Sequence, residues 1–309
     1  MIYTVTLNPA LDKEYKVPQI VFDDIMRMTS MRIDFGGKGF NVSRMLQSLG
    51  AKNVALGFVG GHTGEVISAG LESLAIAVDL TPIQGETRTN ISIVDQAENH
   101  YVKLNEAGPY VTQAEIDALL EKVDTLVSPG DFWVLAGSIP NGVPEDIYAR
   151  IIRKINQAEA HAVLDTSGLP LQLGVEEKPF LIKPNVHELS ALLGVDIQDP
   201  HQLPQYVADL HAQGIPNILV SLGDKGAFLS DSQHCWTGQT PQITAQNPIG
   251  AGDAMVAGMV WRLAEGDAID VALPWAMACG TAAASLPGTG MPSLSLVSEF
   301  HQAIKIEEL

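Results

Sequence analysis

The chain has 309 residues, of which 46% are hydrophobic, and its 18 basic and 36 acidic side chains give a formal net charge of −18. This length and apolar content predict one main domain with an added element and a large buried core. The negative charge argues against nucleic acid or an anionic membrane surface as a partner. The two cysteines, Cys235 and Cys279, lie far apart, so neither a disulfide framework nor a zinc site is predicted.

The first residues, 1–7, lack a basic segment and are predicted to form a strand, not a signal peptide. Together with the sparse cysteines, this indicates a cytoplasmic protein. The uncharged stretch 271–298 contains three prolines and is rich in alanine. It therefore predicts a buried helix and a loop, not a membrane span.

Short apolar runs alternate with amphipathic segments along most of the chain. The predicted strands are 54–59, 132–135, 162–164, 180–183 and 218–221, and the helical segments between them include 114–126, 144–156 and 203–211. This alternation is typical of a doubly wound α/β fold, in which a mainly parallel sheet carries helices on both faces. Ligands bind such sheets at the carboxyl ends of the strands.

Two regions, 13–34 and 85–104, interrupt this alternation with apolar and polar residues in turn and little helical periodicity. We interpret them as strands of a small second sheet. An ordinary meander at the edge of the main sheet explains the same pattern, and sequence alone slightly favours it.

A glycine turn near the C-terminal third, Gly250-Ala251-Gly252, places Asp253 at the head of an apolar helical run. Glycines let the backbone approach an anion, and the first N–H groups of a helix point towards it. A carboxylate beside an anion site would suit a general base in phosphoryl transfer. Dipole electrostatics alone also favour an Asp in the first turn of a helix, so this motif leaves both explanations open.

A second glycine cluster, 36–39, leads into another amphipathic run that ends at Gly50, so the sequence suggests two ligands. The pair of motifs resembles the two signatures of the ribokinase-like PfkB sugar kinases. Further segments in the same order resemble the phosphosugar branch of that family, which includes 1-phosphofructokinases, tagatose-6-phosphate kinases and a 6-phosphofructokinase: 6–12, 85–90, 105–109, 136–140, 183–188 and 220–223.

The resemblance implies a single ribokinase-like domain over 1–309, with regions 13–34 and 85–104 forming a lid over the sugar site. It implies ATP-dependent phosphoryl transfer to a hydroxyl of a ketohexose phosphate, with Asp253 as base and the turn Gly250, Ala251 and Gly252 as anion hole. Fructose 1-phosphate is the favoured substrate, giving the bisphosphate. Ile25 stands where some 6-phosphofructokinase-like members carry a lysine, which weakens the fructose 6-phosphate alternative.

The resemblance implies that the sugar is bound by residues of the motif that begins with the glycine cluster 36–39 and of the earlier segment 6–12. These residues are Asp12, Gly36, Gly37 and Asn41. Its phosphate needs cations, for which the candidates are Lys38, Arg88, Lys103 and, more weakly, Arg27. Asp12 could instead cap a turn after Pro9. Any one of the cations could be a solvated surface charge.

The nucleotide side of the site is expected at two further loops. Lys183, Asn185 and Glu188 resemble the family's nucleotide-phosphate and metal region, with Glu188 contacting Mg²⁺ through water. The same spacing also predicts a capping box, and both roles are compatible. The turn containing Ser221, Gly223 and Gly226 resembles the one beside the nucleotide phosphates, and a plain glycine-rich turn is the alternative for Gly226.

The expected ligands are therefore Mg²⁺ with ATP and a phosphorylated ketohexose, with a monovalent cation as a further possibility. By resemblance, the lid suggests a homodimer. Tagatose-6-phosphate kinase or 6-phosphofructokinase activity stays open, as does a catalytically silent sensor on the same fold. A dehydrogenase is disfavoured because segment 4–12 lacks the dinucleotide-binding glycine fingerprint.

Overall fold

The structure, a computed structural model, describes residues 1–98, 100–245, 247 and 249–309. Within these ranges the strands, numbered along the chain, are β1 (Ile2–Thr6), β2 (Ala10–Val17), β3 (Ser30–Gly36), β4 (Asn53–Val59), β5 (Ala77–Val78), β6 (Thr81–Pro82), β7 (Arg88–Asp95), β8 (Tyr101–Asn105), β9 (Phe132–Ala136), β10 (His161–Asp165), β11 (Leu181–Ile182), β12 (Asn217–Ser221), β13 (Ala227–Ser230), β14 (Cys235–Gln239) and β15 (Lys305–Glu308). The α-helices in the same ranges are α1 (Lys38–Ser48), α2 (Gly61–Ser73), α3 (Gln113–Leu126), α4 (Ile147–Gln157), α5 (Leu169–Glu176), α6 (Val186–Leu193), α7 (Leu203–Ala212), α8 (Ala251–Ala264), α9 (Ile269–Ala284) and α10 (Leu294–Ala303).

The main sheet has the strand order β15-β14-β13-β12-β11-β10-β9-β1-β4-β5, and β6 also pairs with β4. Strands from β12 through β11, β10, β9 and β1 to β4 run parallel. The edge formed by β13, β14 and β15 is antiparallel. Because parallel neighbours end on the same side, their carboxyl ends form one continuous edge, where the fold class predicts ligands.

Helices cover both faces of this sheet, and the strand pattern shows why. In β9, Trp133 and Leu135 pack into the core on one face, while Val134 and Ala136 pack into the core on the other. The first core includes residues of α3 to α7, and the second includes residues of α1, α8, α9 and α10. A strand buried on both faces reads as a continuous apolar run, so the predicted doubly wound fold is confirmed.

A separate sheet has the order β3-β2-β7-β8. Its central pair, β2 and β7, is parallel, and the outer pairs are antiparallel. The alternative of a meander on the edge of the main sheet is therefore wrong. The strands also reach beyond the predicted regions, since β2 begins at Ala10 and β3 ends at Gly36.

The other predicted elements match closely, with one shorter strand. The run 180–183 forms only β11, Leu181–Ile182, and Pro184 follows soon after; proline cannot donate to a ladder. The stretch 271–298 forms most of α9, a loop and the start of α10. Within the described ranges, none of the helices combines the length and apolar character needed to span a membrane.

Candidate active site

The candidate site lies where the carboxyl edge of the main sheet meets the first turns of α1 and α8. Asp165 is the last residue of β10, Lys183 follows β11, and Lys38 is the first residue of α1. Asp253 lies in the first turn of α8. Four charged side chains that are far apart in sequence are thus gathered at one edge.

Asp253 is buried, with 6% of its surface exposed. The side-chain N–H of Asn41 donates to Asp253 Oδ2 over 2.8 Å. Burial raises the pKa of Asp253 to about 6, and the negative charge of Asp165 adds to this effect. Lys38, Asn41 and Lys183 act in the opposite direction. A carboxyl with a pKa near 6 is ionised at neutral pH yet holds a proton more strongly than an exposed Asp, which suits a general base.

Asp165 holds the two lysines in place. Its Oδ1 accepts from Lys38 Nζ at 2.9 Å and lies 3.4 Å from Lys183 Nζ. Burial opposes ionisation of Asp165, but Lys183 and Lys38 outweigh it and lower its pKa. Partial burial likewise opposes the charge of Lys38, and Asp165, Asp253 and Glu188 together raise the Lys38 pKa above its ordinary value. Lys38 is therefore charged, and Asp165 holds both lysine side chains at the sheet edge.

The start of α8 leaves backbone donors and space for an anion. Gly250 caps the helix in a left-handed conformation, with φ of 85°, and its carbonyl accepts from the N–H of Ala254. The N–H groups of the first turn have no partner within a helix, so Ala251 and Gly252 can donate to a ligand. A β-carbon on Gly252 would lie 3.4 Å from Lys183 Nζ, so the ammonium lies directly beside this turn.

A second group of predicted residues surrounds Asp12 in β2. The side-chain N–H of Asn90 donates to Asp12 Oδ1 over 2.8 Å. Gly36 lies so close to the Asp12 carboxylate that a β-carbon there would overlap it. Burial raises the pKa of Asp12, while Asn90 and the charge of Lys103 oppose the rise. Gly37, also predicted here, caps α1.

The three remaining predicted cations differ in their surroundings. Arg88 is partly buried and donates to the carbonyl oxygens of Pro9, Glu106 and Asn8 over 3.3, 2.8 and 2.9 Å. These bonds fasten the small sheet to the loop after β1. Lys103 is exposed on β8, close enough to Asp12 to affect its pKa. Arg27 lies on the exposed segment between β2 and β3, and no contact in the described structure joins it to the other site residues.

The predicted nucleotide loops are neighbours. Asn185 caps α6 and forms a capping box with Glu188, in which the Glu188 N–H donates to Asn185 Oδ1 and the Asn185 N–H donates to Glu188 Oε2. The backbone N–H of Ser221 donates to the carbonyl of Pro184, which places its turn beside Asn185. Gly223 and Gly226 both have positive φ, of 64° and 101°.

Two residues that organise this site, Asp165 and Arg44, have no role predicted from the sequence. Asp165 directly follows the predicted strand 162–164, and its position at a strand end was the available signal. Arg44 lies in α1, after the glycine cluster 36–39, and its guanidinium contacts Asn41, Asp34 of β3 and Thr289. Asn41 lies only three residues before Arg44, on the same helix, but Thr289 lies 245 residues away, and no local pattern indicates that contact.

Comparisons with known proteins show which family the chain resembles. The model of the pfkB family carbohydrate kinases matches residues 6–295. The 1-phosphofructokinase of Bacillus subtilis (strain 168) is 36% identical over 284 residues, which cover 92% of each chain. The 1-phosphofructokinase of Borreliella burgdorferi is 34% identical over 287 residues, again 92% of each chain. The crystal structure of Escherichia coli phosphofructokinase-2 in complex with potassium has a TM-score of 0.93 and 30% identity, covering 98% of both chains.

The family match covers nearly the whole chain, and the two relatives exceed 30% identity over most of their length. The predictions of a ribokinase-like fold and of an ATP-dependent kinase are confirmed. The chain belongs to the pfkB family of carbohydrate kinases.

Proposed function

We propose that this kinase transfers the γ-phosphoryl group of ATP to a hydroxyl of a ketohexose phosphate, with fructose 1-phosphate as substrate and fructose 1,6-bisphosphate as product. The observation that carries the chemistry is the buried Asp253 at the head of α8, beside two fixed ammonium groups. The choice of sugar is supported by the names of the relatives, both of which are 1-phosphofructokinases.

Asp253 acts as the general base in this proposal. Its pKa of about 6 leaves it ionised at neutral pH, and it accepts the proton of the attacking hydroxyl as the oxygen bonds to phosphorus. The Asn41 N–H holds one carboxylate oxygen, so the other can receive the proton. A positioned base of this kind typically contributes about 10²–10⁴-fold in rate.

The transferring phosphoryl group is stabilised by backbone donors and by charge. We assign the anion hole to Gly250, Ala251 and Gly252, because the free N–H groups and the helix dipole point to the same place. Lys183 lies beside Gly252 and is held by the carboxylate of Asp165. These groups are fixed before substrate binds, so little reorganisation is needed during the reaction.

The sugar lies between the main sheet and the small sheet in this proposal. Its hydroxyls bond to Asp12 and Asn41, and Gly36 and Gly37 allow the ring to approach the backbone. Its own phosphate is bound by cations of the small sheet and of α1, namely Lys38, Arg88, Lys103 and Arg27. Arg88 already donates to three carbonyls, so it contributes to the phosphate only through its remaining N–H groups.

ATP occupies the edge formed by the predicted nucleotide loops, which contain Lys183, Asn185, Glu188, Ser221, Gly223 and Gly226. Magnesium bound to ATP would neutralise phosphate charge, and it usually keeps several waters. Glu188 fits this role, because its capping bond uses one acceptor site and a carboxylate offers several. Since the Escherichia coli relative binds potassium, we include a monovalent cation in the proposal.

We propose further that regions 13–34 and 85–104 form a lid on a single domain and that two lids meet in a homodimer. The small sheet and the segment between β2 and β3 expose large apolar side chains. The exposed fractions of Phe22, Ile25, Met28, Tyr101 and Leu104 are 84%, 79%, 56%, 68% and 60%, respectively. Exposed apolar surface of this extent is typical of a protein interface. The related Escherichia coli phosphofructokinase-2 has a tetrameric inhibited form.

The decisive experiment is an ADP-release assay with Mg-ATP and four acceptors: fructose 1-phosphate, tagatose 6-phosphate, fructose 6-phosphate and unphosphorylated fructose. We expect the highest kcat/KM with fructose 1-phosphate. A preference for fructose 6-phosphate, which binds to Escherichia coli phosphofructokinase-2, or for tagatose 6-phosphate would replace our substrate while leaving the kinase chemistry intact. Binding of ATP without turnover of any sugar would support the silent-sensor alternative.

A further inference from the structure

The amide of Asn41 lies between two charged side chains. Its Nδ2 donates to Asp253 Oδ2 over 2.8 Å, and its Oδ1 accepts from Arg44 Nη1 at 3.4 Å. Asn41 and Asp253 are both buried, and only 9% of the Arg44 side chain is exposed. The three side chains therefore form a short chain of hydrogen bonds that water reaches poorly.

Arg44 can only donate hydrogen bonds, whereas an amide has a donor end and an acceptor end. With Arg44 in place, the Asn41 amide must turn its oxygen towards the guanidinium. A rotated amide would set its NH₂ group against Arg44 and its oxygen against the Asp253 carboxylate, so both contacts would be repulsive. The orientation that directs an N–H at Asp253 therefore depends on Arg44.

Arg44 is itself held by two other parts of the molecule. Its Nη2 lies 3.2 Å from Asp34 Oδ1, in strand β3 of the small sheet, and 3.2 Å from the carbonyl oxygen of Thr289. Its Nη1 also lies 3.4 Å from Thr289 Oγ1. The same guanidinium thus contacts the small sheet, the loop between α9 and α10, and the amide beside the base.

We propose that Arg44 is a positioning residue for the reaction, which orients the Asn41 amide towards Asp253 and links this orientation to the small sheet through Asp34. This inference rests on the proposed role of Asp253 as base. The other charged groups facing Asp253 are Asp165 of β10, Lys38 of α1 and Lys183 after β11. An N–H directed at a carboxylate favours its ionised form and counteracts burial and Asp165.

The test compares Arg44→Met with Arg32→Met across a pH series of kcat/KM. Arg32 is a matched control, because it pairs with Asp34 and Glu14 and no described contact joins it to Asn41. Loss of the oriented N–H should raise the pKa of Asp253, so the acidic limb of the Arg44→Met profile should move up by about one pH unit. The Arg32→Met limb should stay in place, although both variants lose one positive charge near Asp34.

Two further variants separate positioning from a general structural effect. In an Asn41→Ala background, Arg44→Met should cause no additional shift, since the amide through which it acts is gone. If Arg44→Met does not fold because Asp34 keeps only Arg32 as a partner, the double variant Asp34→Asn/Arg44→Met removes both charges and serves in its place. Additive shifts of Asn41→Ala and Arg44→Met, or a change in KM with an unmoved acidic limb, would overturn the proposal.

Failure of the proposed function has a different signature. Titration of the Asp253 carboxyl by ¹³C NMR, assigned with Asp253→Asn, reads the pKa without turnover. If Asp253→Asn retains activity, the base assignment fails, yet the Arg44→Met shift in the NMR titration still tests the orientation of the amide. An unchanged Asp253 titration in Arg44→Met refutes the positioning role whatever the substrate is.

Discussion

The two glycine-led helix starts, at α1 and α8, look alike in sequence but meet different physical demands. Helix α1 begins with Lys38 after Gly37, and α8 carries Asp253 in its first turn after Gly250. The two helices meet where Asn41 of α1 donates to Asp253 of α8. One start therefore brings a cation to the site and the other a buried carboxylate.

At α1 the glycines are required by packing. Gly37 has φ of 120°, and a β-carbon there would lie 2.5 Å from Thr6 Cγ2 and 3.2 Å from Pro9 Cα. A β-carbon on Gly39 would lie 2.5 Å from Thr6 Oγ1. The backbone of α1 thus rests directly on the end of β1. This contact holds Lys38 and Asn41 at the sheet edge.

At α8 the glycines leave space. Gly250 has φ of 85°, and among the described residues its β-carbon would meet Thr289 Cγ2 alone, at 3.9 Å. Within the described part of the chain, a β-carbon on Gly252 would meet the end of the Lys183 side chain and nothing else, at 3.4 and 3.8 Å. The same motif therefore supports the fold in α1 and, as we propose, leaves room for an anion in α8. Three substitutions test this contrast.

The largest effect is expected for Gly37→Ala. A non-glycine residue at this φ is strained, and its methyl group would overlap Thr6 and Pro9, so the free energy of unfolding should fall by about 4 kcal/mol. Urea denaturation measures the loss, with Gly252→Ala as the matched control. A Gly37→Ala protein as stable as the parent would show that α1 can move away from β1, and our packing argument would fail.

This contrast also shows how far the sequence could lead. The alternation of apolar runs and the glycine motifs are local, so the doubly wound sheet and the starts of both helices could be predicted. The pairing of Lys38 with Asp165 joins residues 127 positions apart, and the bonds of Arg88 to Asn8 and Pro9 require the β2 and β7 pairing. Such contacts depend on the register of distant strands, which no local pattern contains.

The next effect is the pH-dependent cost of burying Asp253. Its pKa of about 6 in the folded protein exceeds the value of 3.8 expected when unfolded, so the native state binds the proton more tightly. The protonated Asp253 therefore stabilises the fold fully below the unfolded pKa. This contribution to the free energy of unfolding is lost as the pH rises through the folded pKa of about 6, and the total loss is about 3 kcal/mol at most. Asp253→Asn should therefore stabilise the protein at pH 8 but not at pH 3.

Unfolding of the Asp253→Asn variant and its parent at the two pH values measures this difference directly. The same variant should lose about 10²-fold or more in kcat. If the difference in unfolding free energy between Asp253→Asn and its parent were the same at pH 3 and pH 8, burial would not destabilise the ionised form of Asp253. The gain in stability would then have to come from something other than its charge.

The smallest effect is expected for Gly252→Ala, where the two helix starts should differ most clearly. The new methyl group makes ordinary contact with Lys183, and alanine is favoured over glycine in a helix, so stability should stay the same or rise by up to about 1 kcal/mol.

The methyl would nevertheless occupy the space between the backbone donors and the Lys183 ammonium. We therefore expect kcat to fall about tenfold or more while the fold is kept, because the phosphoryl group could no longer reach both. Full activity in a folded Gly252→Ala protein would place the transferring phosphate elsewhere. A loss of stability would show that this glycine, like Gly37, is required by packing.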